Sequence, residues 1–159
     1  MELYKITGYA DKINEDFLVQ VNSFNKLGIK SIEIRGVNGV NISRLERSEI
    51  KEIKRILKKA DIKVSSIASP IGKIFITDYF EEHFEVFKKI VEAAKLLDTK
   101  YIRIFSFFIP EGKDALEYRE GVIKRLRALV IYFSKKIKQI FLKLLSNFFY
   151  FSLDIYILI

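Results

Sequence analysis

An α/β fold, four strand–helix units laid on a parallel sheet, is predicted from three observations on this chain. Short β-branched strands recur at Ile29–Arg35, Ile62–Ser69 and Tyr101–Ser106, after a shorter one near Leu3–Tyr9. Helix-patterned stretches separate them, and each strand closes on polar groups. A strand every thirty residues or so with a helix between is how βαβ units read in sequence. No fifth strand is expected after Leu129, where a tail of Phe, Ile, Leu, Tyr and Lys takes over.

The first helix is expected to start at Asn14, whose side-chain oxygen can satisfy an orphan amide. It should bury Phe17, Leu18, Val21, Phe24 and Leu27 before Gly28 ends it. A capping box of Ser43 and Glu46 opens the second, with Ile50, Ile53, Ile56 and Leu57 as its apolar stripe. Asp78 and Glu81 open the third, which carries Phe80, Phe84, Phe87, Val91, Ala94 and Leu97 at helical spacing. The fourth begins near Asp114 and runs through Val122, Leu126, Leu129, Phe133 and Ile137 with no stop signal. One-sided helix stripes imply strands apolar on both faces, as in a sheet covered by helices. The aromatic stripes are read as core.

At 159 residues the chain is one domain by length, and short for a closed eight-stranded barrel of about 250 residues. Its 28 Lys and Arg against 20 Asp and Glu give +8, a charge that suits anionic partners. Most of these cations interleave with Glu on helices, as in Lys51, Glu52, Lys54 and Arg55, which is the pattern of a solvated face; nucleic acid is not expected as a partner. There is no cysteine, which rules out disulfides, thiolate metal sites and cysteine nucleophiles. No apolar run near Glu2 and Lys5 is long enough for a signal peptide, and a cytoplasmic location is expected.

The segment 130–159 is set apart from 1–129 as an atypical hydrophobic, helical extension. Three readings compete for it: out-of-frame translation of an AT-rich gene, ranked first; a packed continuation of the fold; or a C-terminal membrane anchor. For the anchor, residues 140–159 are long enough to span a bilayer and Lys135, Lys136 and Lys138 would flank them.

Ligands of parallel α/β folds sit beyond the carboxyl ends of the strands, so the polar residues there are the candidate site. The first strand ends at Thr7, Gly8 and Tyr9, the second at Glu33 and Arg35, the third at Ser66 and Ser69, the fourth at Arg103 and Ser106. Side chains alternate along a strand, so Glu33 and Arg35 share one face and Ile32 and Ile34 the other. Facing inward, Glu33 and Arg35 would hold a polyol hydroxyl or a phosphate, with Arg103 as a second cation. The competing reading is a structural ion pair. His83, the sole histidine, sits on the third helix among Glu81, Glu82 and Glu85 and reads as a solvated surface residue. Gly8-Tyr9-Ala10-Asp11 lacks the G-x-G-x-x-G turn of dinucleotide binding, and Gly36 and Gly39 form no phosphate loop.

Gly28-Ile29-Lys30-Ser31-Ile32-Glu33-Ile34-Arg35, then Tyr101-Ile102-Arg103-Ile104-Phe105-Ser106-Phe107-Phe108, then Tyr118-Arg119 leading to Leu126-Arg127-Ala128-Leu129, resemble the amino-terminal half of the sugar phosphate isomerase/epimerase family of xylose isomerase-like TIM barrels. The resemblance covers about residues 1–129 and implies a partial TIM barrel. For the intact family it implies aldose–ketose isomerisation or epimerisation of a sugar or polyol, with a divalent metal (Mn, Mg, Co or Zn) polarising adjacent oxygens while paired glutamates move the proton. The metal ligands of such proteins come from the fifth to eighth strands, so no metal ligand or catalytic residue transfers to this chain. What does transfer is the substrate-facing set Gly8, Glu33, Arg35, Ser69, Arg103 and Phe105. A truncated, inactive sugar isomerase or epimerase is therefore expected. The alternatives are a non-catalytic half-barrel that pairs with itself or with another chain through its open sheet edges, and a tail-anchored membrane protein.

Overall fold

The computed structural model describes residues 6–136 and, further on, two strands at Phe141–Leu145 and Tyr156–Leu158. Helices α1 (Phe17–Lys26), α2 (Arg47–Lys59), α3 (Phe80–Leu96) and α4 (Arg119–Ser134) alternate with strands β1 (Ser31–Ile34), β4 (Lys63–Ala68) and β5 (Tyr101–Phe105). A small antiparallel hairpin, β2 (Gly36–Val37) with β3 (Val40–Asn41), follows β1. Strands β6 (Phe141–Leu145) and β7 (Tyr156–Leu158) complete a sheet that runs β1-β4-β5-β6-β7 among the described residues. Pairing is parallel from β1 through β6 and antiparallel between β6 and β7.

Side chains cap the starts of α1 and α2 and the turn before α4, though not always the expected ones, whereas α3 starts after Tyr79 with no side-chain cap and Asp78 accepts instead from the Phe75 amide upstream. Asp16, not Asn14, caps α1: one carboxylate oxygen accepts from the Leu18 and Val19 amides, while Asn14 Oδ1 accepts from the Asp16 amide upstream. The capping box of α2 pairs Glu46 with Glu49, and Ser43 belongs to a short 3-10 turn capped by Asn41. Asp114 caps the 3-10 turn that leads into α4.

The helix stripes pack on one face of the sheet. Phe17, Val21, Phe24, Ile50, Ile53, Leu57, Phe87, Val91, Ala94, Leu129 and Phe133 join Ile32, Ile34, Ile67, Ile102 and Ile104 in a single apolar core. Leu18 and Leu27, expected in that core, are exposed, and Gln20 takes the buried place by donating to the Asn14 carbonyl at 2.9 Å. The register closes on the same alternation: Glu33 stands across from Ser66, and Ala68 across from Arg103, so these four share the opposite, inner face. The expectation of strands apolar on both faces therefore fails. Only the helix-covered side is uniformly apolar.

Two other expectations change. Of the first strand near Leu3–Tyr9, only residues from Ile6 onward are described; these form no ladder, but the Gly8 carbonyl accepts from the Glu33 amide at 2.9 Å and holds the segment beside β1. Among the described residues the extension is helical as far as Ser134, and Phe141–Leu145 is a further strand parallel to β5, where no strand was expected after Leu129. Five residues, four apolar around Lys143, are too few to carry a period that separates helix from strand. The unpaired backbone of the β5 edge decides it, because each residue placed there gains ladder hydrogen bonds. Tyr156–Leu158, also within the expected membrane anchor at 140–159, is a strand antiparallel to β6, and the remaining residues of that segment lie outside the described ones. Among the described residues no helix is long and apolar enough to cross a membrane.

Candidate functional site

The inner face is polar at its centre and aromatic toward the carboxyl ends of the strands. At the β1–β4 seam the Ser66 hydroxyl donates to Glu33 Oε2 at 3.1 Å. Higher up, Arg103 is buried, only 8% exposed as a residue, and its guanidinium is wedged between two rings, 5.3 Å from the Tyr9 centroid and 5.0 Å from that of Phe105. Its Nη1 donates to the Tyr9 hydroxyl at 2.6 Å, while its buried Nε has no acceptor. A guanidinium cannot shed its charge at any ordinary pH, so this cation is held by ring quadrupoles and one phenol oxygen.

Arg35 has a different fate. Its Nε and Nη2 make a two-pronged contact with Asp11 at 2.7 and 3.0 Å, which raises its pKa further and cancels its charge locally. It also lies 5.3 Å from the Tyr9 centroid, so Tyr9 is flanked by both guanidinium groups. The structural ion pair that competed with ligand binding at Arg35 is present, with Asp11 and not Glu33 as its partner. Glu33 makes no ion pair among the described residues.

A loop from Ile71 to Ile76 walls the site. It runs alongside the chain that continues β5: the Phe105 amide donates to Ile71, Phe108 to Ile74 and Ile76 to Phe108, each at 2.8 Å. Gly72, at φ +83°, makes the close approach possible, because a Cβ there would fall 1.9 Å from the Phe105 carbonyl oxygen. Its amide donates to His83 Nε2 at 2.7 Å. His83 is thus a half-buried loop anchor and not the solvated residue its Glu neighbours suggested; burial, and then the nearby Arg125 charge, lower its pKa. The loop carries Lys73 over the Phe105 ring, 4.7 Å from its centroid.

The six expected site residues therefore separate. Glu33, Arg103 and Phe105 share the inner face; Arg35 lies at its rim, neutralised. Gly8 serves through its backbone. Ser69 is fully buried and committed, donating to the Arg103 carbonyl at 2.6 Å and accepting from the Ile71 amide. Sequence reasoning passed over Asp11, Ser66 as the partner of Glu33, Tyr9 as the residue between the two guanidinium groups, and Lys73. For Lys73 the sequence carries no signal, since it is one lysine among many in a loop.

An open cavity of about 790 Å³ lies elsewhere, at the amino ends of β4 and β5 between Leu57, Val64, Leu97 and Tyr101. It is at the wrong end of the strands for a ligand site of this architecture, and loops of that end serve stability. Among the described residues no group of three or more His, Asp or Glu side chains is placed to hold a metal ion. On the inner face Glu33 stands without a second free carboxylate or an imidazole, so the described residues do not fit a divalent-metal site.

No protein-family model matches the chain, and no curated protein matches it in sequence. Solved structures do share its fold. A probable 3-DHS dehydratase involved in petrobactin synthesis from Bacillus anthracis superposes with a TM-score of 0.69 at 18% identity, over 89% of this chain and 52% of that one. A xylose isomerase-like TIM barrel protein from Mycobacterium smegmatis, in complex with magnesium, gives 0.67 at 15% identity, over 89% and 55%. The 3-keto-D-glucoside 4-epimerase of E. coli gives 0.65 at 17%, over 89% and 56%. The fold is thus that of xylose isomerase-like TIM barrels, and the chain spans about half the length of the solved structures it matches.

Proposed function

We propose that this chain is the amino-terminal half of a barrel of the sugar isomerase and epimerase type, that it binds a sugar or polyol on its inner face, and that it does not isomerise it unaided. One observation carries the reading: the inner-face residues at the carboxyl ends of β1, β4 and β5 are a hydroxyl-accepting carboxylate, Glu33, and aromatic rings around a buried guanidinium. Glu33 supplies the acceptor that orients a hydroxyl. Tyr9 and Phe105 supply apolar faces for a carbon skeleton, as such pockets require. A second carboxylate for the opposite proton transfer is not on this face among the described residues, since Asp11 is bound to Arg35. Proton shuttling between adjacent carbons needs such a pair.

The test is a panel of aldoses, ketoses and inositols, followed by calorimetry for binding and by chromatography for interconversion, with and without Mn²⁺, Mg²⁺, Co²⁺ or Zn²⁺. Binding of at least one polyol, weakened about tenfold in Glu33→Gln by loss of a charge-assisted hydrogen bond, is expected, without turnover. Interconversion abolished by chelator and restored by cation would refute the inactive half-barrel. Silence across the whole panel would remove the binding site itself.

A further inference from the structure

We propose that His83 is a proton-operated latch on loop 71–76: with its ring neutral it fastens the Gly72 amide, and with its ring protonated it lets the stretch that carries Lys73 rise from Phe105. The device stands on the fastenings of the loop itself and holds whatever the inner face binds or does not bind. Three sets of bonds keep the loop down. On the β5 side they are backbone pairs, in which the Phe105 amide donates to Ile71, that of Phe108 to Ile74 and that of Ile76 to Phe108. From α4 comes Arg125, whose Nη2 donates to the Asp78 carbonyl at 2.7 Å and whose Nη1 donates to that of Phe75 at 3.4 Å. From α3 comes His83 alone, through Nε2 and the Gly72 amide at 2.7 Å.

Of the three, the His83 bond is the one that pH can reach. Backbone pairs do not titrate and a guanidinium keeps its proton at any ordinary pH, whereas an imidazole changes charge between about pH 5 and 8. To accept at Nε2, the ring must carry its single proton on Nδ1. A second proton goes to Nε2, so two N–H groups would then face each other across 2.7 Å. The bond becomes a clash.

The surroundings add to that effect. Arg125 is the charged group that acts on His83, while Asp78 and Glu81 act on Arg125. The continuation of β5 presents the Phe107 ring, its centroid 6.5 Å from that of His83, and the loop's own cation, Lys73, lies over Phe105. A half-buried ring beside a guanidinium disfavours the imidazolium, and burial and then Arg125 lower its pKa accordingly. Arg125 also grips the carbonyls of Phe75 and Asp78, so repulsion from a charged His83 falls on the group that holds the far end of the loop. One proton thus removes one fastening and weakens another. The backbone pairs at Ile71 and Ile76 remain, which keeps the release local.

The direction follows from linkage. The closed loop selects the neutral ring, and opening returns His83 toward its ordinary value of 6.5. From there down to the lowered value of the closed form, the ratio of open to closed loop should rise about tenfold for each pH unit, and then level off. The loop is shut at neutral pH and opens in mild acid.

The experiment follows amide exchange by NMR on the full chain between pH 7.5 and pH 5, corrected for the intrinsic pH dependence of exchange, with the His83 ring titrated in the same samples. Expected is at least about a tenfold loss of protection at the Gly72, Lys73 and Phe108 amides, in step with His83, while those of Ile102 and Ile104 keep theirs. His83→Gln supplies an acceptor that does not titrate, and its loop should stay protected at pH 5. Protection at Ile102 and Ile104 reports that the variant is folded, and the wild-type titration reads the latch without any variant. Loop protection that is constant across the range, a loss that persists in full in His83→Gln, or a His83 midpoint at or above 6.5 in the folded protein each overturns the proposal.

Discussion

The two faces of one sheet do opposite work with adjacent residues. Ile32, Ile34, Ile67, Ile102 and Ile104 are each at most 1% exposed beneath the helices, whereas Glu33, Ser66 and Arg103, one residue away on the same strands, meet the inner face. Burying an aliphatic side chain contributes about 1.5–3 kcal/mol, so the helix side supplies stability directly. The inner side does the reverse, placing a carboxylate and a guanidinium where packing would favour isoleucine. A period-two pattern lets a strand hold both without compromise, because neither set shares space with the other. Stability and recognition should therefore separate by residue parity.

The sharpest break in that separation comes from the helix side. Ile104→Ala opens a cavity at a fully buried site and is expected to cost about 2–5 kcal/mol, read as a shift in the denaturant midpoint at unchanged slope. Inner-face Ser66→Ala should cost about 1 kcal/mol, the worth of its bond to Glu33, and should act instead on hydroxyl recognition. An equal loss of stability from both would dissolve the contrast between faces.

A second break lies where the faces meet the loop. Gly72→Ala combines a left-handed backbone with a contact no Cβ can make against the Phe105 carbonyl. Strain of this kind costs about 1–3 kcal/mol, and the loop can relieve some of it by lifting from β5. Lifting carries Lys73 away from Phe105. The variant should thus lose less stability than Ile104→Ala but weaken ligand binding more, and crosspeaks of 71–76 and 105–108 should move together in an amide spectrum.

How far such features are legible in the sequence follows from their range. The helices, β1, β4 and β5, and the alternation that turns Glu33 to the face opposite Ile32 and Ile34 follow from periodicity, which is local. What escaped depends on partners distant in the chain. Arg35 reads as a ligand cation until Asp11, on a turn before α1, is seen to take it. Ser69 reads as a free hydroxyl until the β5 backbone arrives beside it. Leu18 and Leu27 fit a helix stripe as well as Phe17 and Phe24 do, and only the packing of α1 decides between them. Phe141–Leu145 shows the same limit, since its conformation follows from the strand edge it meets.

The smallest effect tests whether the loop is fastened as the geometry implies. His83 Nε2 accepts from the Gly72 amide only while the ring is neutral there, and its folded pKa lies below the ordinary 6.5. Arg125 from α4 faces it, with Asp78 and Glu81 beside Arg125, and Phe107 from the end of β5 packs edge-on against the ring. A histidine depressed on folding contributes stability that is complete above the unfolded value of 6.5 and is lost as pH falls through the lower, folded value. Unfolding free energy measured between pH 8 and pH 5 should therefore decline in the wild type. In His83→Phe it should start about 1 kcal/mol lower, for the lost bond, and vary less over that range. A variant that keeps the full acid dependence would assign it to the carboxylates instead and leave the loop held by its backbone bonds to β5 alone.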